Sequence, residues 1–195
     1  MTTIVLPDRS WALELRERVE LIPLHLSTRF ELDAWEQANI LRAIAWLEQR
    51  RHRGSVLSSR FMRQLHKRMF DETWFHAGRY RRVKAARGAP AWTVSTRVED
   101  VFARTKGWIQ GNAYPSDEIC ARFHHRISEV HPFERGNGRV TRLITDCLMQ
   151  EFGQAPFTWG ARSGLPAAEL HDRYHAALRI ADNDNISALF DFARS

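Results

Sequence analysis

Cysteine is nearly missing from this chain. Cys120 and Cys147 are the two in 195 residues, too few and too far apart for a disulfide framework or a zinc signature. Both sit among apolar residues at helical spacing, which predicts buried free thiols. Long apolar runs are absent too. No window approaches the roughly eighteen apolar residues that a membrane-spanning helix needs, so no membrane partner is expected. The opening "MTTIVLPDRS" has no charged leader followed by a long apolar stretch, and the expectation is a soluble, cytoplasmic protein. Internal repeats and low-complexity segments are also missing. Acidic side chains are in deficit, 23 against 29 Lys and Arg, for a formal charge of +6. The excess is carried by arginine, whose planar fork makes bidentate hydrogen bonds to phosphate. Nucleic acid, a nucleotide or an acidic protein are admissible partners, with plain solubility as the alternative.

The length suits one domain with a short extension. Residues 1–27 read as an N-terminal arm with a short helix around Trp11–Val19, and residues 28–195 as a single helical domain. Thr28 followed by Glu31 fits a capping box at the start of a long amphipathic helix over 28–50. Its apolar Phe30, Ala34, Ile40, Leu41 and Ile44 recur at helical spacing. Residues 56–70 read as a second helix with Ser58 as its cap. The middle of the chain is different. Gly78, Gly88 and Pro90 punctuate it, and "AWTVST" over 91–96 is β-prone, suited to a short strand or hairpin. Arg79, Arg81, Arg82, Lys84 and Arg87 make this segment basic: either a solvated loop or a surface for nucleic acid or an acidic target. A helix follows over 97–110. Ile119, Phe123, Ile127 and Val130 then form one apolar stripe on another, which stops at His131-Pro132. Val140, Leu143, Ile144, Cys147 and Leu148 mark the next helix, up to Gly153. One or two more lie beyond Leu165. The seven Trp residues read as inter-helix packing.

Between these two helices lies "HPFERGNGR", residues 131–139. The first amides of a helix have no internal partner and carry partial positive charge. Gly136-Asn137-Gly138 lets a ligand approach that backbone closely and permits positive φ. Together they make an anion-binding design. Arg139 and Arg142 neighbour each other on the following helix and can clamp further phosphate oxygens. Asn137 can donate through its amide. His131, across the loop, titrates near neutral pH and can take a proton from a hydroxyl. Phe133 is expected to anchor the loop in the core. Gly-Asn-Gly is also an ordinary turn and a lone His is more often structural, but seven fixed positions would recur by chance with a probability on the order of one in ten million.

The stretch "HPFERGNGRVTR" resembles the signature of the Fic/Doc family, H-x-F-x-[DE]-G-N-G-R-x-x-R. "HAGRYR" resembles the segment these proteins place before a flap, and "PFTWG" with "LFDFARS" resembles the subgroup called mobile mystery protein B. The resemblance implies an all-α Fic-type helical bundle with a short β-hairpin flap. It implies transfer of AMP, or another nucleoside monophosphate, from ATP or a related triphosphate to a Ser, Thr or Tyr hydroxyl of a target protein. His131 would be the general base. Gly136, Asn137 and Gly138 would hold the α- and β-phosphates, Arg139 the β-phosphate and Arg142 the γ-phosphate. The flap, at Ala91, Trp92, Thr93, Val94 and Ser95, would align the target by strand addition. One position departs: the acid that usually binds Mg²⁺ is Arg135 here, and arginine has no lone pair for a metal. Glu134, beside it, is the remaining metal-ligand candidate.

The family also uses an inhibitory glutamate that pairs with the last signature arginine. Glu36 is the favoured candidate here and Glu31 the competitor, with a solvated helix face and the capping box as their respective alternatives. Without such a restraint, a separate regulatory partner protein is implied. Three further readings stand beside nucleotidyl transfer. One is transfer of a different phosphate-linked group. Another is a catalytically impaired nucleotide- or partner-binding module. The third, supported least, is a metal nuclease using His124, His125 and His131.

Overall fold

The computed structural model describes residues 11–49 and 56–195. The described residues are helical, with two isolated β-bridges, Ala12 to Thr28 and Leu21 to Trp74. None of their helices is long and apolar enough to cross a membrane. They fall into two compact units, residues 11–49 with 63–79, and residues 56–62 with 80–195.

The first unit holds α1 (Leu15–Arg18), α2 (Arg29–Gln49) and the later turns of α3 (Ser59–Phe70). The short helix is a single turn, closed by a Glu14/Glu17 capping box. The capping box expected at α2 is present: Thr28 N–H donates to Glu31 Oε2 at 3.0 Å, and Glu31 N–H donates to Thr28 Oγ1 at 3.3 Å. The amide and hydroxyl of Ser27 reach the same carboxylate at 2.8 and 3.1 Å. These bonds, Ser27 N–H first, hold the Glu31 carboxyl down at about 2. Glu36 is not on a solvated face: it is buried and accepts Trp74 Nε1–H at 2.7 Å. Buried Asn39 donates to Arg68 O at 3.2 Å and accepts from Glu72 N–H at 3.1 Å, tying α2 to the end of α3.

In the second unit, Ser58 caps α3 as expected, accepting Phe61 N–H at 3.2 Å. There follow α4 (Val94–Gln110), α5 (Ser116–Val130), α6 (Asn137–Glu151), α7 (Ala167–Ala181) and α8 (Ser187–Arg194). The central helix, α5, packs on α4, α6 and α8. Its stripe of Ile119, Phe123, Ile127 and Val130 is buried, Phe123 stacking on Phe102 of α4 at 5.8 Å. Tyr174, Ala177, Ala181 and Leu189 seal α7 to α8. Cys120 and Cys147 are buried free thiols.

The β-prone reading of 91–96 is corrected. Ala91–Thr93 form a 3-10 helical turn that leads straight into α4. Val94, Val98, Phe102 and Thr105 are all buried, at steps of four, four and three. Burial of that helical stripe overrides the local β preference of the Val and Thr residues. Ala91, Trp92, Thr93, Val94 and Ser95 therefore form no hairpin.

Candidate active site

The C-terminal carbonyls of α5 need partners once the helix stops, and Arg81 supplies them. Its side chain is buried. Nε donates to His131 O at 2.7 Å, Nη1 to Val83 O at 3.1 Å, and Nη2 to Val130 O at 3.3 Å and to Ala89 O. His131 itself turns left-handed, φ 52° and ψ 63°, and its amide still bonds Ile127 O at 3.1 Å. The chain beside it is the segment 81–89. Arg81 N–H donates to Pro132 O at 2.9 Å and Ala89 N–H to Val130 O at 3.2 Å. Gly88 is required there: with φ 108°, a Cβ on it would lie 2.6 Å from His131 Cβ.

Beyond His131, Phe133 is fully buried against Tyr80, ring centroids 5.5 Å apart, as its anchor role required. Asn137 bridges the loop through its side-chain amide. It is buried, accepts Phe133 N–H at 2.8 Å and donates to Phe133 O at 2.7 Å. The side chain is a clasp that closes the loop, and Asn137 also lines the adjoining cleft. Gly136, at φ 72°, precedes α6 and brings no side chain to its first-turn amides. A Cβ on Gly138 would meet only Arg142 Nη1, at an ordinary 3.8 Å. The protein leaves that face of the helix start open.

Arg142 lies 5.4 Å over the ring of Tyr174. A directed chain of hydrogen bonds fixes that ring. Thr145 Oγ1–H donates to Thr141 O at 2.7 Å, leaving its oxygen to accept from His124 Nδ1 at 3.3 Å. His124 Nε2 must then accept the Tyr174 hydroxyl at 2.9 Å. Burial pushes His124 down to about 3, so it is neutral. His125 Nε2 faces Asp182 Oδ1 at 2.8 Å instead. The two adjacent imidazoles serve different partners, and the His124–His125–His131 metal cluster is overturned.

His131, Arg135, Gly136, Asn137, Gly138, Arg139 and Arg142 line one cleft of about 300 Å³. Residues distant in sequence complete it, notably Arg87, Tyr174, His171 and His175. Arg87 comes from the segment 81–89, within the basic run that read as solvated or docking. Burial, then the charges of Arg87, Arg81 and His175, push His131 down to about 4. At neutral pH it is an uncharged base. Four guanidinium groups face the cleft against one carboxylate, exposed Glu134. Such a site suits a polyanion. Its donors do not fit a resident Mg²⁺ at position 135, because a guanidinium offers no lone pair.

The model of the Fic/DOC family matches residues 56–149, a span that holds His131, the loop and almost all of α6. Residues 56–149 are a Fic/DOC family domain. This Fic domain is 34% identical over 82 residues to a uridine 5'-monophosphate transferase of Xanthomonas campestris, covering 37% of the chain and 15% of that relative. A protein adenylyltransferase Fic of Drosophila grimshawi is 24% identical over 133 residues, 66% of the chain and 26% of the relative. The chain thus spans about a quarter or less of the length of these curated relatives. Among solved structures, BepC, a VirB-translocated effector of Bartonella tribocorum with bound AMPPNP, superposes with a TM-score of 0.66. It is 17% identical, and the match covers 84% of this chain and 85% of BepC. That likeness shows a shared all-α Fic fold.

Proposed function

We propose that this Fic domain transfers a nucleoside monophosphate from a nucleoside triphosphate to a Ser, Thr or Tyr hydroxyl of a target protein. The observation that carries the reading is the placement of a neutral His131 and the uncapped start of α6 in one cleft. A ring nitrogen of His131 takes the hydroxyl proton. The hydroxyl oxygen bonds the α-phosphorus, the bond from that phosphorus to the bridging oxygen breaks, and pyrophosphate leaves. The open backbone at Gly136 and Gly138 approaches the α- and β-phosphates. Arg139 contacts the β-phosphate and Arg142 the γ-phosphate, while Asn137 holds the loop that presents them. Both AMP and UMP are candidate groups, since similar proteins carry each name.

Target docking passes from 91–95 to the segment 82–88, exposed except at half-buried Ala85, whose backbone runs beside His131. Arg135 brings positive charge to the phosphates without a metal, and it stabilises developing charge less than a bound dication does. The same substitution favours the second reading, a nucleotide-binding module that turns over slowly or not at all. Restraint from within remains part of the proposal: Glu36, with Glu31 committed to its cap, is the inhibitory candidate, and its exchange for Gly should raise transfer.

The test is incubation of the chain with ATP or UTP, radiolabelled at the α-phosphate, and cell lysate, with and without Mg²⁺. Labelled protein that disappears in His131→Ala supports transfer. Equal labelling by wild type and variant removes His131 from the mechanism, and binding without labelling selects the second reading.

A further inference from the structure

Arg87 lies outside the signature, on the exposed segment beside His131, yet its side chain is pinned. Nη1 sits 2.9 Å from His175 Nδ1. A guanidinium only donates, so Nδ1 accepts and the proton of neutral His175 is on Nε2. That N–H faces His171 Nε2 at 3.1 Å, which must accept in turn. The His171 proton is therefore on Nδ1, on the side of Asp172 Oδ1 at 3.6 Å. The bonds run one way, from Arg87 into α7. His171 and His175 are four apart and share a face of that helix. Burial, then the charge of Arg87, keep His175 down at about 4. Arg87 gives one N–H to His175 and lines the cleft with four further N–H donors. The next residue, Gly88, lies against His131, since a Cβ on it would fall 2.6 Å from His131 Cβ, and the charge of Arg87 is, after burial, the largest influence depressing His131.

We infer that Arg87 is a phosphate-contacting residue of the transfer site, held in place by the tautomer-fixed pair His175 and His171. This rests on the nucleotidyl-transfer reading. The ligand class is the triphosphate of the nucleotide, irrespective of its base. An arginine on an exposed loop loses much rotamer freedom when it binds an anion. The His175 contact orders it beforehand, so His175 is a positioning residue. No signature position supplies this charge, and it adds to that of Arg135 where the metal's carboxylate is lacking.

The full chain, in EDTA and at fixed low salt, is titrated calorimetrically with ATP, UTP and inorganic tripolyphosphate. Arg87→Ala should weaken all three by roughly 10- to 100-fold, the scale of one hydrogen bond to a charged group. Its melting temperature should hardly move. His175→Ala should weaken them by about tenfold. His175→Asn should recover most of that loss, because its Oδ1 accepts where Nδ1 did. Arg87→Ala binding all three like wild type overturns the inference and leaves nucleotidyl transfer standing. So does His175→Asn binding no better than His175→Ala. Wild type that binds none of the three defeats the transfer reading and this inference with it.

Discussion

Replacing Gly138 by alanine should make the protein more stable and a worse nucleotide binder at once. Gly138 lies in the first turn of α6. A Cβ there meets only Arg142 Nη1 at 3.8 Å, so no atom has to move. Glycine in a helix costs about 0.5–1 kcal/mol relative to alanine. Removing that cost should raise the melting temperature by about 1–4 °C for a chain of this size. The added methyl occupies space at the helix start through which, on the proposed reading, a phosphate oxygen would reach the first amides. Losing one such charge-assisted bond costs about 1.5–3 kcal/mol, roughly 10- to 100-fold in affinity. Differential scanning calorimetry without ligand and titration with ATP read the two effects separately. A lower melting temperature, or unchanged affinity, would refute the idea that this glycine serves the ligand. Gly88→Ala is the contrast: at φ 108°, with 2.6 Å to His131 Cβ, it should destabilise by at least about 1 kcal/mol.

As the proposed base His131 would act in its deprotonated form, and it is held down at about 4, so kcat/KM, which reports the free enzyme, should stay level from neutral pH and fall only near pH 4; an acid limb near 6.5 contradicts the buried, Arg87-flanked base. Tyr174→Phe keeps the ring under Arg142 but leaves buried His124 Nε2 unpaired, and thermal melts should show a loss of about 1–3 kcal/mol with ATP affinity nearly kept; an unchanged melt would break the directed chain. Arg135→Asp restores a carboxylate, and label transfer by this variant should become Mg²⁺-dependent; a strong Mg²⁺ requirement in wild type that is lost in Glu134→Gln would show Glu134 as the metal ligand instead.

What is local in the sequence is legible there. The Thr28–Glu31 and Ser58 caps, the stripe Ile119 to Val130 and its end before Pro132 each depend on neighbours three or four residues away. The same holds for the loop 131–136 and the first turns of α6, which follow one another directly in sequence. Propensity misled where burial decided: Val94 and Thr96 favour strands, yet Val94 opens a buried helical stripe. Glu36 admitted an exposed reading because Trp74, its partner, is 38 residues away. The residues that build the site from a distance had the weakest signal. Arg81 and Arg87 stood in a basic run whose members look alike, and only the folded chain separates the buried clamp from the cleft residue. Tyr174 and His175 had no signal at all, because helix α7 meets the cradle only in three dimensions.

The backbone at His131 sets folding against chemistry. It is the residue at which α5 turns left-handed, a conformation that glycine adopts freely and that costs other residues about 1–2 kcal/mol. The fold by itself would be better served by glycine at 131. A programme that selected variants for heat resistance alone would drift toward His131→Gly and report success while discarding the proposed base. In this chain thermal tolerance is therefore a misleading proxy for fitness at the very position where the reaction would begin.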